Sequence, residues 1–142
     1  MGWDSKWQLP DNHIVDGIPP ETCGFVYKIQ NNQTGRAYVG KKLLWFKGTK
    51  QVKGKKKRIL VESDWRTYNG SNEELQRDIQ HLGEDQFTFS ILRFCKSKGE
   101  MSYWEIKYQL EADVLYHPEF WYNSYIGCRI HRKHLKLHTQ TP

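Results

Sequence analysis

Residues 24–42 read GFVYKIQNNQTGRAYVGKK: two apolar-rich runs joined by a polar turn, each carrying one tyrosine. Phe25, Val26, Tyr27 and Ile29 are strand-favouring residues, as are Ala37, Tyr38 and Val39 after the break. The break, Asn31 to Gly35, is turn chemistry, because Asn bonds its own backbone and Gly tolerates positive φ. A β-hairpin follows. Pairing that is symmetric about the loop sets Tyr27 opposite Tyr38, and opposed residues point to the same side of a sheet. With a period of two, Gly40 and Lys42 share that face. Two readings are open: a tyrosine pair packed on a core, or two phenols, a bare backbone patch and an ammonium gathered into a site.

The 142 residues suit one domain, with residues 1–22 as an N-terminal arm, 24–123 as the core and 124–142 as a basic tail. The formal charge is +6, and it is unevenly spread. Lys47, Lys50, Lys53, Lys55, Lys56, Lys57 and Arg58 place seven cations and no acid in the segment 47–58. The remaining 15 basic residues nearly balance the 16 acidic ones, so the excess lies in one segment. Clustered cations suit phosphate contacts, and a nucleic acid is the expected partner. No apolar run reaches the ~20 residues of a membrane span. The start is polar from Asp4 onward, so no secretory leader is expected. Cys23, Cys95 and Cys128 are odd in number and widely spaced, which argues against a disulfide framework and for a reducing, cytoplasmic compartment.

Trp3, Trp7 and Ile14, among Pro10, Pro19 and Pro20, read as an irregular arm whose tryptophans cap a core edge. The apolar flanks of the lysine-rich segment, Leu43 to Phe46 and Ile59 to Val61, predict a second hairpin or a long basic loop. Ser71 and Glu74 form a capping box before Leu75, Ile79 and Leu82, which share one helical face up to Gly83. Phe87 to Cys95 reads as a third, central strand. A helix then runs to His117 and Pro118, with Met101, Trp104 and Tyr108 as its apolar stripe and Glu105 beside it. A carboxylate there is costly to desolvate without a partner, and a bound cation is one. Glu100 and Glu111 are rivals, although Glu111 can pair with Lys107 at i, i+4. His131, His134 and His138 could share a helical face, but without a cysteine or carboxylate at zinc spacing a basic tail carrying Arg132 and Lys133 is the better reading.

The tripeptides Phe25-Val26-Tyr27 and Tyr38-Val39-Gly40 resemble the paired signature of the GIY-YIG nuclease family, with Phe25 where the family has glycine and Gly24 one position early. The order of lysine-rich insert, WRTYNGS, Ile-Leu strand and glutamate helix is most similar to the Seg-like, homing-endonuclease-type members of tailed bacteriophages. The resemblance covers residues 25–123. It implies an α+β domain: a three-stranded antiparallel sheet flanked by helices, with the basic insert after the second strand.

It further implies a metal-dependent DNA endonuclease in the cytoplasm of an infected bacterial host, leaving a 5′ phosphate and a 3′ hydroxyl. Glu105 would bind one Mg²⁺ or Mn²⁺. Tyr27, its acidity raised by nearby cations, would orient or deprotonate the attacking water, and Tyr38 would hydrogen-bond that water or the phosphate. The family places a cation, usually an arginine on a helix soon after the second tyrosine, against the scissile phosphate. Arg66 is the first choice here and Lys42 the second. Asn123 would hold catalytic groups by hydrogen bonds. With no length for a separate recognition domain, low sequence specificity and single-strand nicking are expected, and the oligomeric state stays open. The competing reading is a catalytically inactive DNA-binding protein on the same scaffold; a basic scaffolding domain is a third, supported by charge alone.

Overall fold

A computed structural model of the chain describes residues 3–127 other than 12 and 14, together with the backbone of residues 130 and 131. The hairpin forms from β2 (Gly24–Asn31) and β3 (Ala37–Leu43). Asn31 builds its turn: its side-chain oxygen accepts from the Gln33 and Thr34 amides, and Gly35 takes φ +80°. Because Asn31 still pairs with Arg36, the loop centre lies one residue later than the Tyr27–Tyr38 opposition requires. Partners therefore move by two. Tyr27 faces Gly40 and Ile29 faces Tyr38, which corrects the expected Tyr27–Tyr38 opposition. A shift of two preserves the face, so both tyrosines remain on one side, diagonal to each other with ring centroids 6.2 Å apart.

The expected three-stranded antiparallel sheet is corrected to four strands of mixed direction, in the order β1-β6-β2-β3. The addition is β1 (Trp7–Gln8), which runs parallel to β6 (Phe87–Cys95). Part of the arm is thus a strand, drawn in by Trp7, whose fully buried indole donates to the Trp65 carbonyl at 2.8 Å. Two residues are too short to show a period of two in the sequence. The strand Phe87 to Cys95 is central, flanked by β1 and β2, and its pairing with β2 slips by one residue at Val26/Tyr27.

Both faces of the sheet are covered. Phe25, Tyr27 and Ile29 point into a core with Trp7, Trp65 and the α1 (Glu73–Leu82) side chains Leu75 and Ile79. Burying those two aliphatic side chains stabilises the helix contact by ~1.5–3 kcal/mol each. Val26 and Val39 point the other way, onto Met101 of α2 (Lys98–Glu111). The cap of α1 is Asn72, whose side chain accepts from the Leu75 amide, in place of the expected Ser71. α2 ends at Glu111, short of His117, as Asp113 takes φ +52° and Val114 and Leu115 turn into a separate cluster with Ile126. Its buried line is Met101, Glu105 and Gln109, so Glu105 lies within the contact face and not beside it.

Between β3 and α1 the lysine-rich segment forms a second hairpin, β4 (Trp45–Val52) with β5 (Lys55–Glu62), which pair only with each other. Near the end of the described chain β7 (Tyr125–Ile126) pairs with β8 (Ile130–His131). Position 131 is therefore strand, which removes the helical start of the histidine spacing. Arg132, Lys133, His134 and His138 lie outside the described residues. Neither described helix is long and apolar enough to cross a membrane.

Candidate active site

The edge position of β3 decides where a site can form. On its outer side, residues 120–123 run alongside: the Ala37 amide donates to the Phe120 carbonyl and the Tyr122 amide to the Ala37 carbonyl. Two residues on, the side chain of Asn123 takes over from backbone. Its oxygen accepts from the Val39 amide at 3.0 Å and its nitrogen donates to the Val39 carbonyl at 2.8 Å. Gln109 on α2 donates to the same carbonyl at 3.1 Å. Asn123 thus fixes the strand between Tyr38 and Gly40, and does so from a buried position.

Beyond that clamp the edge of β3 opens into a cleft lined by Tyr38, Lys41, Ser71, Glu105, Gln109, Tyr125 and Gly127. Tyr38, Ser71 and Tyr125 also line an adjoining groove at the start of α1, together with Glu73, Glu74 and Arg77. The Tyr38 hydroxyl is 3.0 Å from the Ser71 hydroxyl, and burial pushes its pKa up to about 12. It is a neutral hydrogen-bonding group near neutral pH. Glu105 is 9% exposed, and desolvation raises its pKa against the opposing attraction of Lys41, whose ammonium is 3.8 Å away. Lys41 itself donates to Ser102 at 2.8 Å.

Tyr27 lies one strand inward and is fully buried. Its hydroxyl has no well-formed hydrogen bond; the Tyr68 phenol comes close enough for a loose one, and Tyr68 and Tyr38 add to the effect of burial in raising its pKa. The expectation that cations raise its acidity is overturned: burial, the two neighbouring phenols and the Glu105 carboxylate all act in the opposite direction. Gly40 is what allows the two tyrosines to share this face. A Cβ there would come 2.5 Å from the Tyr27 hydroxyl and 2.9 Å from the Tyr38 ring.

The two expected phosphate cations lie elsewhere. Lys42 shares the tyrosine face but bonds Asp64 at 2.5 Å and sits over the Tyr68 ring at 4.0 Å. Arg66 is exposed, pairs with Glu62 at 2.9 Å and stacks on Trp65 at 4.4 Å. Neither lines the cleft. The cations that do line it or its adjoining groove are Lys41 and Arg77, and Arg77 enters none of the ion pairs found among the described residues. Sequence parity puts Lys41 on the face opposite Tyr38; it reaches the cleft because β3 is an edge and the cleft wraps round it. Arg77 was legible as the arginine of the first helix after the second tyrosine, once the intervening hairpin is set aside.

Among the described residues no group of three His, Cys, Asp or Glu side chains could enclose a metal. Glu105 is the single carboxylate of the cleft, and one helical turn away the buried side-chain oxygen of Gln109 has no hydrogen-bond partner. One carboxylate, one orphaned amide oxygen and open space for water and substrate oxygens fit Mg²⁺, which binds through few protein ligands and retains waters. The family model described as "Putative endonuclease segE, GIY-YIG domain" matches residues 7–126. No curated protein and no solved structure matches the chain.

Proposed function

Because the chain belongs to the GIY-YIG family, through a segE-type domain over residues 7–126 that points to an endonuclease, we propose that it is a metal-dependent DNA endonuclease that nicks phosphodiester bonds at the Tyr38–Glu105 cleft. The observation that carries this reading is the convergence of Tyr38, Lys41, Glu105 and Gln109 on one edge of β3, with Arg77 in the adjoining groove. Glu105 and Gln109 would hold the divalent ion, Mg²⁺ or Mn²⁺. Bound there, it supplies Lewis-acid neutralisation of charge on the phosphate and the leaving 3′ oxygen.

The chain's own groups do the rest. Arg77, with planar donors and no ionic partner among the described residues, takes the place first given to Arg66 and Lys42 as the cation on the scissile phosphate. Tyr38 stays protonated and donates to a phosphate oxygen, with the Ser71 hydroxyl donating to the phenol oxygen in turn. Tyr27 also stays protonated, so it serves to orient through its O–H and not as a base; a buried hydroxyl with only a loose contact to Tyr68 favours any state that supplies a better partner. Asn123 positions the strand that carries Tyr38 and Lys41. It does not line the cleft.

A second reading, a DNA-binding protein without activity, is supported by Lys41, which offers Glu105 a cation of its own. Supercoiled plasmid incubated with the protein and Mg²⁺ decides between them. The nuclease reading predicts open circles that DNA ligase reseals, as 5′-phosphate and 3′-hydroxyl ends require. Retarded but uncut plasmid in every divalent ion tested selects the second reading.

A further inference from the structure

The β4–β5 hairpin is a two-stranded ribbon with almost every residue exposed on both faces. Eight residues per strand give it a length of roughly 27 Å at about 3.4 Å per residue. Lys53 and Gly54 make its two-residue tip with φ of +51° and +79°, the two positive values of the tight hairpin turn that follows strand twist. Isolated two-stranded ribbons are marginal in water. This one also sets Lys50 directly opposite Lys57, an arrangement that destabilises a pair of strands when nothing lies between the charges.

The cations are not gathered on one side. Register puts Lys47, Lys56 and Arg58 on one face and Lys50, Lys55 and Lys57 on the other. A single strand laid along a protein would need only one cationic face. Cations on both faces of a thin ribbon match a slot with two anionic walls. The major groove of B-form DNA, ~12 Å wide, admits a two-stranded ribbon between its phosphate backbones, whereas the major groove of A-form duplexes is deep and narrow.

Both legs of the ribbon are fixed to the cleft-bearing strand. Buried Leu44 links β3 directly to β4 and donates its amide to the Cys23 carbonyl, while the Ser63 amide donates to the Leu44 carbonyl and the Ser63 hydroxyl to that of Leu43. Whatever the ribbon grips is therefore held at a set offset from Tyr38.

We infer that the β4–β5 ribbon inserts into the major groove of double-stranded, B-form DNA, so that the substrate is duplex and is gripped beside the site that cuts it. The identity of the acid as DNA rests on the nuclease reading; the duplex and its groove rest on the ribbon. Binding is measured on the full-length Glu105→Gln variant, by fluorescence anisotropy against a short DNA duplex, its single strand and the RNA duplex of the same sequence, over a series of salt concentrations. The DNA duplex should bind tightest. Replacing Lys50 and Lys57 by serine should reduce the slope of log K against log salt by about 1.8, or about 0.9 for each phosphate released. Guanines methylated at N7, on the major-groove edge, should weaken binding over one contiguous stretch. Equal or tighter binding of the single strand or of the RNA duplex, an unchanged salt slope in a variant whose thermal unfolding matches the parent, or interference confined to minor-groove adenine N3 would overturn the inference. Because no cleavage is required, a protein that never nicks but shows the duplex preference and N7 interference retains the groove assignment and loses only the nuclease reading.

Discussion

Gly40 has no unusual φ, so nothing about its backbone requires glycine, and the substitution Gly40→Ala isolates space as the variable. If the tyrosines could yield, alanine in a strand would stabilise the protein by roughly 0.5–1 kcal/mol through lost chain entropy alone. They cannot easily yield. The added Cβ would meet the Tyr27 hydroxyl at 2.5 Å, its ring carbon at 2.7 Å and the Tyr38 ring at 2.9 Å, all below contact distance. Tyr27 is held edge-on by Trp7 at 5.2 Å and Tyr68 at 5.9 Å, and Gly70 lies behind its hydroxyl. Overpacking of this kind costs about 1–3 kcal/mol, and a ring held on several sides belongs at the upper end. At roughly 4 °C per kcal/mol for a chain of this size, Tm should fall by roughly 4–12 °C. Differential scanning fluorimetry with urea titration measures it, and adding Tyr27→Phe to Gly40→Ala should recover part of the loss, since the 2.5 Å contact goes while the 2.7 Å one stays. A Tm that holds or rises in Gly40→Ala refutes the packing argument.

Three further outcomes follow from the same geometry. Tyr27→Phe removes a buried hydroxyl without a well-formed hydrogen bond, so stability should hold or rise by about 1 kcal/mol while nicking is lost; a clear loss of stability would show the contact with Tyr68 to be a full hydrogen bond. Asn123→Ala leaves the buried Val39 amide unpaired and should cost about 1–3 kcal/mol in urea unfolding, and an unchanged midpoint would contradict the clamp. Glu105→Gln should raise Tm at neutral pH. Burial holds the Glu105 pKa above its ordinary 4.5, so the acid's contribution to stability is fully present below that ordinary value and is lost as pH rises through the raised one. The difference between variant and parent should therefore shrink on acidification, and a difference that grows instead would mean the carboxylate is stabilised by the fold.

The hairpin faces were readable from residue types because parity survives an even register error: Tyr27 and Tyr38 share a side whether the loop centre is placed correctly or one residue off. Helical spacing set Glu105 only beside the α2 stripe, because its neighbours misled, and the family resemblance singled it out. Trp104 and Tyr108 look like the core stripe, but the buried line runs through Met101, Glu105 and Gln109, since the contact face is set by where β3 lies. The residues that periodicity missed depend on long-range placement. Trp7 pairs with Phe89 of β6 while its indole is anchored on the Trp65 carbonyl, 58 residues away. Lys41 enters the cleft only because no further strand pairs beyond β3 at that point. Arg77 was hidden by the 18-residue hairpin segment 45–62, which separates it in sequence from the tyrosine it approaches.

The proposed nuclease depends on the carboxylate of Glu105 for phosphodiester cleavage at the β3 edge. Single-turnover nicking of supercoiled plasmid in Mg²⁺, comparing the wild-type chain with Glu105→Gln purified side by side and matched for duplex affinity, tests it most directly. The variant should bind as well as the parent, unfold at an equal or higher temperature at neutral pH, and nick at least ~100-fold more slowly. Equal nicking rates in the two proteins would contradict that role of the carboxylate.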